Sequence, residues 1–368
     1  MIFMVSRLLV VHPHLTVKGG SERLTKILVE ELSKLGIDIY LVTASTDQEW
    51  FSKELSPQVT TLKSSSDVAR EMLTVLTAYE PDTVLVMIQE PYYCYIAKRA
   101  REEVATCMYV HFPLDEEISE ENLEEYTKYS RYPHLTAKCL NYVDKVIVNS
   151  RRTGLAVKFL WGFEPYVVYP CIDSKFFSTE PPLGSDREPT ILYVGRFTTL
   201  KRHDFLALIF PLVKREVPSA RLVLTGYVDP RHREYYEHVK AIVDELQDRY
   251  RDVELIPSPS EETLLELYHS ARVYVHPRIG EHFGLAPLEA MSQGVPVVVR
   301  APTGLAEVIE HGREGYLAWS DYELVKYLIH VLKLSREEWF KLQYAAYLTA
   351  QRFHPKTFAE AMLKVLRS

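Results

Sequence analysis

The chain has 368 residues, too many for one ordinary core, so the length favours two domains. With 47% hydrophobic and 25% charged residues it reads as globular, which excludes disordered, collagen-like and disulfide-dense classes. A net charge of −7, from 43 basic and 50 acidic residues, offers nucleic acid no global positive field, and no apolar run approaches the roughly 20 residues of a membrane helix.

The opening stretch MIFMVSRLLVVHP lacks a basic first region and reads as a strand rather than a signal peptide. From there short β-rich runs alternate with amphipathic stretches. The first series of strands is Leu8–Val11, Asp38–Val42, Thr83–Met87, Thr106–Val110, Lys145–Val148 and Tyr166–Val168. The second is Thr190–Val194, Arg221–Thr225, Val253–Ile256, Val273–His276 and Val295–Val299. Helical patterns fall at Ser21–Lys34, Thr136–Tyr142, Asp204–Arg215, Tyr235–Arg249, Thr263–His269 and Leu288–Gln293, with a last one at Phe353–Ser368. Such alternation predicts right-handed βαβ units in two α/β, doubly wound parallel-sheet domains, with ligand in a cleft at the strands' carboxyl ends.

The break falls within residues 169–189, rich in proline, glycine, serine and charge and without periodicity, which reads as a linker. The domains are then 1–170 and 171–352, and the tail 353–368 stays with the second or packs back on the first. Cys94, Cys107, Cys139 and Cys171 are widely spaced without a Cys-x-x-Cys pair, which points to a reduced, cytosolic interior and away from structural zinc. Three Asn and seven Gln against 36 Glu is a thermophile signal.

Four stretches carry chemistry. In LLVVHPHLTVKGGSERL, residues 8–24, a strand leads to Gly19–Gly20 and a helix capped by Ser21; two glycines let backbone approach a ligand, or simply start the helix. This is no G-x-G-x-x-G fingerprint, so a dinucleotide dehydrogenase is disfavoured. In YVHFP, His111 follows a strand end, as a general base, a hydrogen-bond donor or a loop histidine. In ILYVGRFTTLKRH, residues 191–203, Arg196 and Lys201 lie on a βα turn where two cations can neutralise a leaving diphosphate, or sit in solvent.

The strongest pattern is HPRIGEHFGLAPLEAMSQGVPVVV, residues 276–299. A buried strand ends at His276, a loop carries Glu281, and a short helix opens around Pro287 and closes before Gly294. The N–H groups of Phe283, Gly284 and Leu285 precede that helix, where a dipole favours an anion or a sugar hydroxyl. Glu281 and Glu289 suit sugar hydroxyls; a loop acid and a solvated helix face fit the same letters. No Asp-x-Asp pair exists to hold a metal diphosphate, so a metal-independent mechanism is preferred. Residues 115–125 hold seven acids and no base, whereas 128–161 hold seven Lys or Arg and one acid among aromatics, a segment that suits an anionic membrane surface.

Taken in order, the GGSE loop at 19–22, VHFP at 110–113, VNSRRT at 148–153, VGRF with Lys201, and the E-x7-E element from Glu281 to Glu289 resemble glycosyltransferase family 4, retaining enzymes of the GT-B fold. Within it, EHFGLAPLEAM, VHFP and VVYPCID look most like the GDP-mannose-dependent mannosyltransferases of lipid-linked oligosaccharide assembly. The resemblance implies two Rossmann-like domains, the first on the acceptor side and the second binding the nucleotide sugar. It implies Arg196 and Lys201 on the donor diphosphate, Glu281 with the Phe283–Leu285 backbone on the sugar, and Glu289 on the ribose. His111 is then beside the reacting sugar, Gly20 near the diphosphate or acceptor, and Ile256 near the base. Thr303–Gly304 stands where the family more usually has Gly–Gly.

That reading makes the protein a metal-independent mannosyltransferase with no cofactor beyond its donor, acting on a glycan or lipid-linked acceptor, cytoplasmic and at the inner face of the membrane. Its competitors are a UDP- or ADP-sugar transferase, a sugar-nucleotide epimerase of similar shape, and an inactive glycan-binding partner.

Overall fold

The computed structural model describes residues 5–15, 19–43, 45–46, 59–63, 68–113, 116, 137–177 and 187–368. The chain forms two compact units, Met1–Asp173 with His354–Ser368, and Ser174–Phe353.

In the first unit a seven-stranded parallel sheet runs Val59–Lys63, Asp38–Thr43, Arg7–Val11, Thr83–Val86, Ala105–Val110, Lys145–Val148, Tyr166–Val167. The order reverses between Arg7–Val11 and Thr83–Val86, which pair from Leu8 opposite Thr83 to Val11 opposite Val86. The central strands are apolar on both faces because both are covered. Leu8, Val10, Leu85 and Tyr109 face helices Gly20–Lys34 and Pro355–Arg367. Leu9, Val11, Val84 and Met108 face helices Val68–Tyr79 and Tyr92–Ala100.

The second unit repeats the plan with six parallel strands: Val253–Pro257, Arg221–Gly226, Thr190–Val194, Val273–His276, Val297–Arg300, Gly315–Ala318. Its order reverses between Thr190–Val194 and Val273–His276. In such sheets ligands bind beyond the carboxyl ends of the two strands flanking the reversal.

Several sequence expectations need correction. Val59–Lys63 and Gly315–Ala318 are strands that no apolar run announces; each lies at a sheet edge, where one side needs no partner strand. Helix Tyr92–Ala100 (YYCYIAKRA) opens on residues with β preference, and burial of Tyr93, Cys94, Ile96 and Ala97 overrides it. Ser21 does not cap its helix: the N-cap is Gly19, and Ser21 Oγ donates instead to Glu22 at 2.8 Å. The expected helix at Thr136–Tyr142 ends in a 3-10 turn, Leu140–Tyr142.

The proposed linker is partly structural. Phe176 is buried in the second unit, and buried Arg187 donates to the carbonyls of Ala271 at 2.9 Å and Gln293 at 2.7 Å, while 178–186 lie outside the described residues. Of the two charged runs, all of 115–125 except Glu116, and residues 128–136, lie outside the described residues. Three of the basic side chains beyond them are used within the fold. Lys145 Nζ donates to the Val365 carbonyl at 2.9 Å, Arg152 meets Glu116 at 3.1 Å, and Lys158 pairs with Glu164. The four cysteines are buried and free, and among the described residues no helix is long and apolar enough to cross a membrane.

Candidate active site

The turn after strand Thr190–Val194 is built from below. Tyr193, buried in the strand, donates its hydroxyl to the Lys201 carbonyl at 2.7 Å. His203 Nε2 lies 3.1 Å from the Gly195 carbonyl, which only accepts, so that nitrogen carries the proton. Burial drives the His203 ring down to about 3, so it is neutral, and it stacks on Phe197 at 4.2 Å. Gly226, φ +149°, ends the neighbouring strand; a Cβ there would stand 1.7 Å from the Gly195 carbonyl oxygen, so only glycine lets the two strand ends meet.

Across the order reversal, strand Val273–His276 delivers the second loop. Lys201 Nζ reaches Glu281 Oε2 at 2.6 Å, His276 Nε2 lies 3.1 Å from the same oxygen, and Arg278 Nη1 is 3.5 Å from Oε1. Glu281 is buried. Burial opposes its charge, but Lys201, the His276 hydrogen bond and Arg278 outweigh it and hold the carboxyl well below the usual range. Burial and the neighbouring Arg278 and Arg196 lower Lys201, against the pull of Glu281. Burial also lowers His276, which as a neutral ring donates Nε2–H to the carboxylate. Glu281 is thus no surface acid: it is the anion of a compact cluster of cations. Gly304 N donates to the Glu281 carbonyl at 2.9 Å, and Gly284, φ +91°, leaves room beside the Glu281 side chain, which a Cβ would approach to 3.3 Å.

The remaining predicted residues take different places in the same unit. Phe283 is buried against Phe353, ring centroids 6.0 Å apart, so its backbone is what a ligand can use; Leu285 caps the seven-residue helix Ala286–Ser292. Glu289 is buried and its Oε2 accepts from Tyr268 at 2.7 Å. Ile256 lies on the edge strand, its carbonyl taken by Thr225 Oγ1 at 2.6 Å. Arg196 stands apart from the Lys201–Glu281 pair in its contacts: it is 39% exposed and 3.8 Å from Asp229. Asp229 also takes Arg231 through Nε and Nη2 at 3.1 and 2.7 Å, and these bonds bring its carboxyl to about 2.

His111 and Gly20 belong to the first unit. His111 follows strand Ala105–Val110, and its Nε2 lies 3.0 Å from the Met87 carbonyl, so it donates there; burial brings the ring to about 4, so it is neutral. Asn149 Nδ2 donates to the His111 carbonyl at 2.7 Å and receives the Thr153 hydroxyl on Oδ1 at 2.6 Å, while Ser150 caps helix Arg151–Trp161. The VNSRRT stretch therefore fixes the His111 backbone. His12, at the end of the central strand, is buried and titrates at about 3, through burial and the His111 and His14 rings nearby.

The second part of the chain matches the profile of the glycosyl transferases group 1 over residues 176–366, and the first matches glycosyltransferase family 4 over 18–176. The chain belongs to this glycosyltransferase family. It is 29% identical over 238 residues to the GDP-Man:Man(3)GlcNAc(2)-PP-Dol alpha-1,2-mannosyltransferase of Dictyostelium discoideum, across 60% of the chain and only 46% of that enzyme. It is 23% identical over 401 residues to the alpha-1,3/1,6-mannosyltransferase alg2 of Schizosaccharomyces pombe, across 93% of the chain and 79% of that protein. Anabaena HepE, solved in complex with UDP and glucose, shares the fold with a TM-score of 0.76 at 18% identity, covering 98% of this chain and 99% of its own.

In this glycosyltransferase the two doubly wound units that the element pattern predicts are those of the GT-B fold, as the family resemblance implies. Arg278 was not singled out from the sequence, although it lies inside the quoted HPRIGEHFG stretch, because no local pattern marks it as a partner of Glu281. Nor were Tyr268 and Asp229, which carry no local pattern and become visible only through the carboxylate or guanidinium each one holds.

Proposed function

We propose that the enzyme transfers mannose from GDP-mannose to a glycan or lipid-linked acceptor, with retention and without a metal ion. The observation that carries the reading is the Lys201–Glu281 pair at the second sheet's order reversal, flanked by Arg278. Preorganised cations stabilise the charge that develops on a departing diphosphate. The names of the Dictyostelium and fission-yeast relatives support mannose, and the first also supports GDP. In the retaining route the anomeric carbon–phosphate oxygen bond breaks, the acceptor oxygen bonds that carbon on the same face, and its proton passes to the departing phosphate oxygen. Lys201 and Arg196 take the phosphate charge, Glu281 and the Phe283–Leu285 backbone orient the sugar, and Glu289 takes the ribose. Ile256 borders the base; His111 and Gly20 serve the sugar and acceptor from the first unit.

Nucleotide release with GDP-mannose, UDP-glucose and ADP-glucose, with and without EDTA, tests this against a lipid-linked acceptor. Turnover with GDP-mannose, unchanged by EDTA and giving the α-anomer by NMR, is expected. Faster turnover with UDP-glucose, the nucleotide class bound by HepE, overturns the donor; loss in EDTA overturns metal independence.

Peripheral contact with the inner membrane face belongs to the same proposal. Leu155, Phe159 and Leu160 are exposed on helix Arg151–Trp161, an apolar face that fits a lipid surface. Co-sedimentation with anionic vesicles, reduced in Phe159→Glu, is expected. The scarcity of Asn and Gln supports heat adaptation, and melting below about 65 °C would sink it.

A further inference from the structure

Arg202, the residue after Lys201, sits at φ +56° and ψ +41°, between the 3-10 turn Thr199–Lys201 and helix His203–Glu216. A side chain as large as arginine is uncommon in that left-handed region, and it persists there only where surroundings hold it. Its guanidinium makes a fork on Asp321: Nη1 donates to Oδ1 at 3.0 Å and Nη2 to Oδ2 at 2.6 Å. Nη1 also donates to the Pro277 carbonyl at 3.1 Å, and Arg300 Nε adds a donor to Asp321 Oδ1 at 3.2 Å. The guanidinium carbon lies 4.1 Å from the Phe205 ring centroid.

The fork ties together three segments: the turn that ends in Lys201, the loop from Pro277 to Glu281, and the start of helix Asp321–Lys333. That helix is capped by Ser320, whose side chain accepts from Glu323 N at 3.1 Å, so Asp321 is not needed as its cap. Besides the Lys201–Glu281 pair itself, the Arg202–Pro277 bond is a direct tie between the two loops of the site. A bidentate guanidinium–carboxylate pair fixes direction as well as distance, which a lysine in the same place would not do.

We propose that the Arg202–Asp321 fork is a positioning device for the transfer reaction, holding the Lys201 turn in register with the Glu281 loop before the donor arrives. The proposal rests on Lys201 being the cation for the departing phosphate. Neither Arg202 nor Asp321 touches substrate in this account; both act through the Lys201 ammonium.

The test is a set of variants assayed for kcat, donor KM and melting. Arg202→Gly relieves the backbone and removes the fork, and it lowers kcat about tenfold with a smaller change in KM, as expected when a reacting group is misplaced. Arg202→Lys, which keeps the charge without the fork, shows the same loss. In a Lys201→Ala background Arg202→Gly changes kcat by less than about twofold, because no ammonium remains to be placed. If Arg202→Gly does not fold, Asp321→Asn gives the same readout. Wild-type kcat in Arg202→Gly, or a tenfold loss repeated on top of Lys201→Ala, overturns the fork. Full turnover by Lys201→Ala alone overturns instead the reading of Lys201 on which it rests.

Discussion

Lys201 Nζ lies 2.6 Å from Glu281 Oε2, so the cation proposed for the departing phosphate is already engaged by the carboxylate proposed for the donor sugar. The two cannot be removed with equal effect. Lys201→Ala leaves Glu281 with His276 Nε2 at 3.1 Å and Arg278 at 3.5 Å. Glu281→Ala leaves Lys201 and Arg278 as neighbouring half-buried cations without the carboxylate that both of them meet. Breaking a buried pair costs about 3–5 kcal/mol when the partner is stranded and about 1–3 kcal/mol when other bonds satisfy it. Urea unfolding therefore shows Glu281→Ala as the more destabilised, while both variants lose more than tenfold in kcat. Equal stability losses would mean that Arg278 and His276 do not hold Glu281.

A second expectation concerns pH. His12, His111 and His203 titrate at about 3, 4 and 3 in the folded protein, burial being the largest cause for each. Unfolded imidazoles titrate near 6.5. Their folded values are depressed, so their contribution is complete above about pH 6.5 and is lost as pH falls toward 4. Glu281 is depressed too, but its contribution begins to fade only below about pH 4.3, the unfolded carboxyl value. Stability should thus start to decline well before carboxylates titrate, by about 1.4 kcal/mol per pH unit for each histidine kept neutral. Urea midpoints at pH 7, 6 and 5 measure this; a flat line across that range would falsify the neutral, buried assignment.

The central strands were legible because parallel strands covered on both faces are apolar without interruption, as in Thr190–Val194 and Val273–His276. Val59–Lys63 and Gly315–Ala318 were not, since each is a sheet-edge strand whose letters mix threonine, lysine or glycine with apolar residues and so form no continuous apolar run. The site was legible as two separate loops. Their joining was not: Lys201 and Glu281 are 80 positions apart, and no local pattern states that one carboxylate gathers Lys201, His276 and Arg278. Arg202 shows the same limit, since its letter gives no hint of a left-handed backbone or of Asp321.

Glu289 offers a third test. Its Oε2 accepts from Tyr268, whose ring is buried between Phe176, 5.9 Å away, and Tyr274, 6.2 Å away. The ring cannot follow a moving carboxylate, so the bond sets where Glu289 stands when the nucleotide binds. Tyr268→Phe keeps the packing and removes only the hydroxyl. Ribose contacts act alike on the ground state and the transition state, so their loss raises KM and spares kcat. Donor KM should rise severalfold with kcat within about twofold, and stability should fall by about 1–3 kcal/mol as the buried carboxylate loses a donor. A kcat loss without a KM change would place Glu289 at the reacting centre instead.

The C-terminal helix gives the clearest stability prediction. Phe358, Met362 and Leu366 recur at every fourth position of Pro355–Arg367 and are 2%, 0% and 1% exposed within the core of the first unit. Phe358 meets Tyr109 edge to face, centroids 6.0 Å apart, and Tyr109 in turn donates to the Val168 carbonyl at 2.9 Å. At the far end Lys145 Nζ takes the Val365 carbonyl at 2.9 Å, supplying a cation where the helix leaves its last carbonyls unpaired. The helix is therefore part of a unit whose other residues end at Asp173, some 180 positions earlier in the chain. Phe358→Ala should cost about 3–5 kcal/mol, against about 1 kcal/mol for Lys145→Ala, which removes only a cap. Calorimetry of Phe358→Ala should show the loss in the first unit's transition while the second unit, Ser174–Phe353, melts as before. A downward shift confined to the second unit would mean that the helix belongs there.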